Sequence, residues 1–180
     1  MKRLAAGLGI AAILAVGFSA LAWAGPKFGA DGKLAIPANI DRWPTIGTTF
    51  ALSYEGDVGG KTFNAVRMDP KSYATFLKTG LFPAGTMLDL EIRRPLEEVS
   101  PAKGGHVQGP VVGHSIHVKD EKAGKGSWTF YGYRAGGFGT PIARDQACYS
   151  CHQEHGAIDT VFTQFYPSMM EAREKAAAGK

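Results

Sequence analysis

Cys148, Cys151 and His152 form a Cys-x-x-Cys-His segment. Two thiols three positions apart can add to the two vinyl groups of a single haem, and the adjacent imidazole can then reach the iron. The spacing therefore reads as the attachment site of one covalent c-type haem, with His152 as the metal ligand. Two other chemistries use the same residue types. A Cys148–Cys151 disulfide of the thioredoxin kind belongs with a βαβ pattern, which is not apparent in the chain. Zinc on Cys148, Cys151, His152 and His155 would crowd every ligand into one short segment, whereas ordinary structural sites draw on two separated pairs. Both of the chain's 2 cysteines lie in the segment, so haem attachment leaves none for disulfides.

The first residues supply a compartment. Lys2-Arg3, the apolar and small residues from Leu4 to Leu21, and Ala22-Trp23-Ala24 read as a secretory signal peptide over residues 1–24, cut before Gly25. An uncleaved anchor is the alternative, because the apolar run nears the ~18 residues of a spanning helix. The small-residue cleavage signal favours removal and export to the periplasm. That location suits the motif, since c-type haem in bacteria is attached outside the cytoplasmic membrane. Residues 25–180 then fit one domain with a single core. Without Lys2 and Arg3 the 20 basic residues become 18 against 16 acidic, and the net charge falls from +4 to +2. Basic and acidic residues are interleaved and no long Lys/Arg run occurs, so the chain carries no nucleic-acid footprint. Lys119, Lys122 and Lys125 read as a solvated loop around Gly124 and Gly126.

The elements that must position the motif are mostly strands. Phe50, Leu52 and Tyr54 alternate with smaller or polar residues, as do Leu88, Leu90 and Ile92, and further runs cover Val111 to Val118 and Trp128 to Tyr133. Gly59-Gly60, Gly104-Gly105 and Gly136-Gly137 mark turns. One helix interrupts them, with Asp69 as N-cap, Pro70 in its first turn, Tyr73, Phe76 and Leu77 on one face, and Gly80 as its stop. After the strands, Asp145 can cap a helix carrying the haem motif, which Gly156 ends, and Ser168-Met169-Met170-Glu171 reads as a capping box opening a final helix. The fold class is α+β: mainly antiparallel sheet, a few helices, and the haem-attachment helix near the C-terminus.

A c-type haem carries electrons when both axial positions are filled and reacts when one is open, so the sixth ligand decides its use. Met169 and Met170 are the late candidates, but lie just inside a new helix and read as packing residues. His155 is one turn beyond His152 and stays on the same side of the haem. His106 sits in a Gly-rich loop, while His114 and His117 are three apart on a strand and face opposite ways.

The residues beyond the motif resemble the cytochrome P-460 family and its relatives, the beta-type cytochromes c′, in order over roughly residues 31 to 170. The likeness is carried by Trp43, Gly47, Asp69-Pro70 with Tyr73, Thr79-Gly80, Gly85-Thr86, Glu91, Lys119-Asp120, Trp128, Cys148 to His152, and the tail Asp159-x-Val161-Phe162-Thr163-x-Phe165-Tyr166-Pro167. The resemblance implies an exported, mainly β c-haem protein that forms a homodimer. In the enzymes of the family, a lysine in G-T-x-x-x-K-E cross-links to the haem and accompanies hydroxylamine oxidation. Here the segment runs Gly85-Thr86-Met87-Leu88-Asp89-Leu90-Glu91, and Leu90 cannot make that bond. The enzymes also place a glutamate near the distal face. By register from Lys119-Asp120, Ser115 stands there, a weak acid–base group unless paired. Alternation sets Ser115 with His117 on one face and Ile116 with Val118 on the other.

Without lysine or glutamate the distal side resembles the apolar, aromatic pocket of a beta-type cytochrome c′, with Phe63 as the expected cap and Phe50 or Phe82 as alternatives. The implied function is a five-coordinate haem that binds nitric oxide or a similar small gas. Oxidation of hydroxylamine or another small nitrogen compound is the enzymatic alternative. Electron transfer to a redox partner protein, with a sixth His or Met ligand, is the third. The haem propionates would fall to Arg67, Arg93, Arg134 or Arg144, between which the sequence does not choose.

Overall fold

The computed structural model describes residues 25–54, 60–120, 127–133 and 137–179. The expected signal peptide, Gly59, the loop with Lys122, Gly124, Lys125 and Gly126, Arg134 and Gly136 lie outside them. Seven strands, β1 (Leu34–Ala35), β2 (Thr45–Phe50), β3 (Phe63–Met68), β4 (Met87–Leu96), β5 (Val107–Lys119), β6 (Trp128–Tyr133) and β7 (Phe138–Pro141), form one antiparallel sheet. Its order is β1-β7-β6-β5-β4-β3-β2. Three helices accompany it: α1 (Pro70–Thr79), α2 (Ala147–His155) and α3 (Pro167–Ala177). The fold is α+β, as a run of strand patterns followed by helices implies.

Side chains alternate between the faces of a strand, and antiparallel pairing extends each face into rows. Gly47, Val66, Leu90, Ser115 and Gly132 form one row across β2 to β6, and Met68, Leu88, His117 and Phe130 form the next. This face packs on the helices through Phe76, Phe82, Trp128 and Met169. The opposite face packs Met87, Ile116, Val118 and Tyr131 against Leu34, Ile40 and Trp43 from the N-terminal segment. The Tyr133 hydroxyl donates to the Leu34 carbonyl at 2.9 Å and ties that segment down.

α1 starts and stops where its punctuation dictates. Asp69 is fully buried, and its two carboxylate oxygens accept from Ser72 N at 2.8 Å and Met87 N at 2.9 Å, capping the helix and joining it to β4. Gly80 ends it with φ of 66°, in the left-handed region that glycine enters freely. Phe76 has no exposed surface, but Leu77 is 44% exposed and does not share its face. One residue is about 100° of helical turn, enough to carry Leu77 off the buried stripe.

The other caps differ from expectation. α2 begins one residue after Gln146, which makes no side-chain cap, so Asp145 lies too early to cap it. α3 begins at Pro167, whose ring suits the first helical position, so Ser168 falls inside the first turn and no capping box forms. Glu171 instead accepts from Lys175 one turn on. β2 ends at Phe50, before Leu52 and Tyr54, because Ala51 turns the backbone to φ of 52°.

Candidate haem site

α2 presents the Cys-x-x-Cys-His segment to the helix-covered face of the sheet. Cys148 and Cys151 are half-buried thiols, not joined to one another. Tyr149, between them, keys the helix to β6. Its ring lies 4.2 Å from that of Phe130 and parallel to it. Its hydroxyl accepts from the Phe130 N–H at 2.9 Å and donates to the Ile142 carbonyl at 3.2 Å. The Arg144 guanidinium covers the same ring at 4.9 Å.

His152 is held by one nitrogen. Its Nδ1–H donates to the Thr160 carbonyl at 2.8 Å, which leaves the Nε2 lone pair available to a metal. Burial pushes its pKa down, opposed by that hydrogen bond, so the imidazole is held neutral as ligation requires. The rings of Phe162, Phe130 and His117 surround it at 4.3, 4.9 and 5.0 Å.

A cavity of about 160 Å³ opens between His152 and the sheet. Leu90 and Ser115, two positions marked by the sequence, are directly paired across β4 and β5 and stand side by side in its wall with Val66, Leu88 and His117. Tyr54, Phe162 and Phe165 lie toward its half-exposed side, while Thr49 and Asn64 add polar groups from β2 and β3. Among the described residues that line it there is no Asp, Glu, Lys or Arg. His117 stacks on Phe130 at 3.7 Å. Burial drives its pKa well below the usual histidine value and the neighbouring His152 adds to the effect, so its ring is neutral. Its Nε2 is 3.5 Å from Ser115 Oγ, at the outer limit of a hydrogen bond.

The structure does not bring the expected aromatic cap to this cavity. β3 alternation puts Phe63 on the opposite face, its ring tilted against Phe50 at 4.5 Å, which in turn lies 4.8 Å from His106. Phe82 is buried between Phe76 and Trp128. The aromatic ring nearest His152 is Phe162, which follows the motif in the sequence and was visible there only as part of the family-like tail. Arg67 and Arg93 pair with Glu91 on the far face, and Arg144 is engaged by Tyr149 and Thr129. Arg134 lies outside the described residues. Met169 is core, Met170 packs beside it, and His155 is exposed. Among the described residues no three His, Cys, Asp or Glu side chains gather as a metal-ion ligand set, so the zinc grouping is not assembled.

Sequence reasoning missed two features of the site. Thr160 holds His152 through a backbone carbonyl, for which side-chain identity gives no signal. Gly47 admits Tyr166 to the cavity wall: a Cβ there would lie 2.1 Å from the ring.

The residues present fit haem c. Two free thiols sit one helical turn apart, a neutral imidazole offers one nitrogen while the other is fixed, and an uncharged, largely apolar cleft adjoins it. This combination defines a c-type haem protein. A family model described as Cytochrome P460 matches residues 37–163, and the chain belongs to that family. It matches no individually curated protein.

Proposed function

We propose that the chain is an exported, periplasmic c-type cytochrome with one haem, bound through thioethers to Cys148 and Cys151 and ligated by His152. Its haem stays five-coordinate and takes nitric oxide or a similar small neutral gas, as in a beta-type cytochrome c′. When bound, haem supplies an iron with one open coordination position. The rest is the work of the chain. His152 is oriented by Thr160, Tyr149 fixes its helix to the sheet, and Leu88, Leu90 and Val66 supply apolar wall. The observation that carries this reading is the uncharged lining of the cavity. Such a lining excludes anions, which would have to shed their hydration without a partner, while neutral diatomics enter at little cost. Hydroxylamine oxidation is disfavoured because Leu90 occupies the lysine position and, among the described residues, no lysine lines the cavity.

A second reading has one specific observation in its favour. His117 lines the same cavity as His152, so it is the candidate sixth ligand for an electron-transfer cytochrome serving a redox partner protein, although the two rings, 5.0 Å apart, must separate before an iron fits between them. Absorption spectra of the purified, reduced protein with and without nitric oxide separate the two. A high-spin spectrum that changes on adding the gas is expected. A low-spin spectrum indifferent to it would sink gas binding in favour of His117 ligation. A Soret band displaced far to the red before any gas is added would mean a cross-linked haem and defeat the Leu90 argument. Dimer formation, expected from the family, is read separately by sedimentation.

A further inference from the structure

Behind His152 the chain makes a turn that its sequence does not favour. Ile158 and Val161 bridge, with Val161 N donating to the Ile158 carbonyl at 2.9 Å. Between them Asp159 and Thr160 have φ of 50° and 62°. Two left-handed residues in succession belong to a tight reverse turn usually built from asparagine and glycine, and positive φ is least natural for a β-branched residue such as threonine. Backbone strain of this kind persists only where the surroundings over-determine it. Here one of the two strained residues is the one whose carbonyl receives His152 Nδ1–H.

The surroundings include Lys119, the last residue of β5. The sequence suggested a solvated loop, yet its side chain is only 13% exposed. Its ammonium lies 2.7 Å from Asp159 Oδ2 and donates to the Phe82 carbonyl, also at 2.7 Å. A second restraint is steric. A methyl on Gly156 would lie 2.3 Å from the Thr160 carbonyl carbon, so the absence of a side chain there lets the turn close on the end of α2.

We propose that Lys119 and Asp159 are positioning residues for the haem ligand: their ion pair holds the Asp159–Thr160 turn left-handed, so that the Thr160 carbonyl fixes the tautomer and donor strength of His152. The inference rests on His152 ligating the iron but not on which gas the haem binds. A carbonyl accepting from the far nitrogen makes an imidazole a stronger donor to its metal. Loosening the turn therefore weakens the iron–histidine bond and raises the reduction potential.

The test uses the full haem-loaded chain and two readouts, the ferrous iron–histidine stretching band and the midpoint potential. Lys119→Met and Asp159→Asn are each expected to lower the band frequency and raise the potential, whereas Lys119→Arg keeps both near their original values. Adding Thr160→Gly to Asp159→Asn supplies the asparagine–glycine pair that adopts this turn unaided, and is expected to restore both. Unmoved signals in the single variants overturn the clamp, even if thermal stability falls. Failure of the added glycine to restore them overturns it as a conformational device. A wild-type protein with no sign of histidine ligation removes the premise and the proposal together, while an indifferent response to nitric oxide affects only the gas reading. For variants that do not load haem, ¹⁵N NMR of the apoproteins serves instead: the unchanged chain should hold His152 protonated at Nδ1, and the variants should mix tautomers. A single unchanged tautomer in the variants overturns the clamp.

Discussion

His114 and His117 are three residues apart on β5 and stand in opposite chemistry. His117 faces the cavity beside His152, stacked on Phe130 and pushed neutral by burial. His114 faces the other side, where its Nδ1 lies 2.8 Å from Asp89 Oδ1, and that bond raises its pKa against the pull of burial. Around it, Asp89 and Glu91 meet Arg67 at 3.3 and 2.8 Å, Glu91 also meets Arg93, and Arg93 donates to the Gly109 carbonyl. All five ionisable groups belong to strands whose alternate residues line the cavity. The period of two sends Asp89, Glu91 and Arg67 to one side and Leu88, Leu90 and Val66 to the other. A buried charge cluster of this kind is weak evidence for stability, because desolvation offsets much of its attraction. What the separation does show is that charge is not lacking from these strands; it is kept off the cavity.

The largest expected effect comes from breaking the charged face at its centre. Glu91→Ala leaves Arg67 and Arg93 without their carboxylate, and should cost about 3–5 kcal/mol in urea unfolding. Gas affinity of the haem-loaded protein should stay within about twofold, which is close to no change in free energy. An affinity that falls with stability would show that the faces are not independent. Moving charge the other way, Leu90→Lys puts an ammonium in the apolar wall, with an expected loss of about 2 kcal/mol. Azide titration of the oxidised protein should then reveal anion binding that the unchanged chain resists. If the lysine instead red-shifts the Soret band and brings hydroxylamine turnover, this position controls the family's chemistry directly.

Smaller effects follow from protonation. His114 is raised above its unfolded value of 6.5, so its contribution is fully present below pH 6.5 and is lost as pH rises through the folded value. Glu91 is lowered, the bonds from Arg67 and Arg93 outweighing burial, so its contribution is present above the unfolded value of 4.5 and lost as pH falls through the lowered one. The charged face therefore contributes most between about pH 4.5 and 6.5. His114→Gln should flatten the decline in melting temperature on the alkaline side, and an unaltered slope would assign it to another group. The least effect is expected from Ser115→Ala. A contact at 3.5 Å contributes little, so stability should change by less than about 0.5 kcal/mol and gas affinity hardly at all.

Much of this partition was legible in the sequence. The Cys-x-x-Cys-His spacing is local, and so are the signals of α1, where Asp69, Pro70 and Gly80 each act within one turn. The parity of β5 separated Ser115 and His117 from Ile116 and Val118, as found. Leu90 and Ser115 were singled out by different arguments and proved to be cross-strand neighbours. What stayed hidden depends on distant partners. Lys119 looks solvated until Asp159, 40 positions on, comes beside it, and Phe63 looks like a pocket residue until the register of β3 turns it away. Ser168 and Glu171 have the right spacing for a capping box, but Pro167 takes the first helical position and shifts the start.

The order of the strands bears on how the molecule assembles. Every neighbouring pair in the sheet is consecutive in the chain except β1 with β7, which joins Leu34 to Gly139. Closing that pairing carries the entropy of a loop of about a hundred residues, whereas each other pair closes far shorter ones. The cavity wall from Gly47 to His117 lies wholly within the consecutive series, and β1 contributes nothing to it. Pulse-labelling hydrogen exchange should therefore find amides of β3 to β6 protected before those of Leu34 and Ala35. The wall of the site then forms early in folding, and docking of the N-terminal segment on the charged side of the sheet completes the domain last.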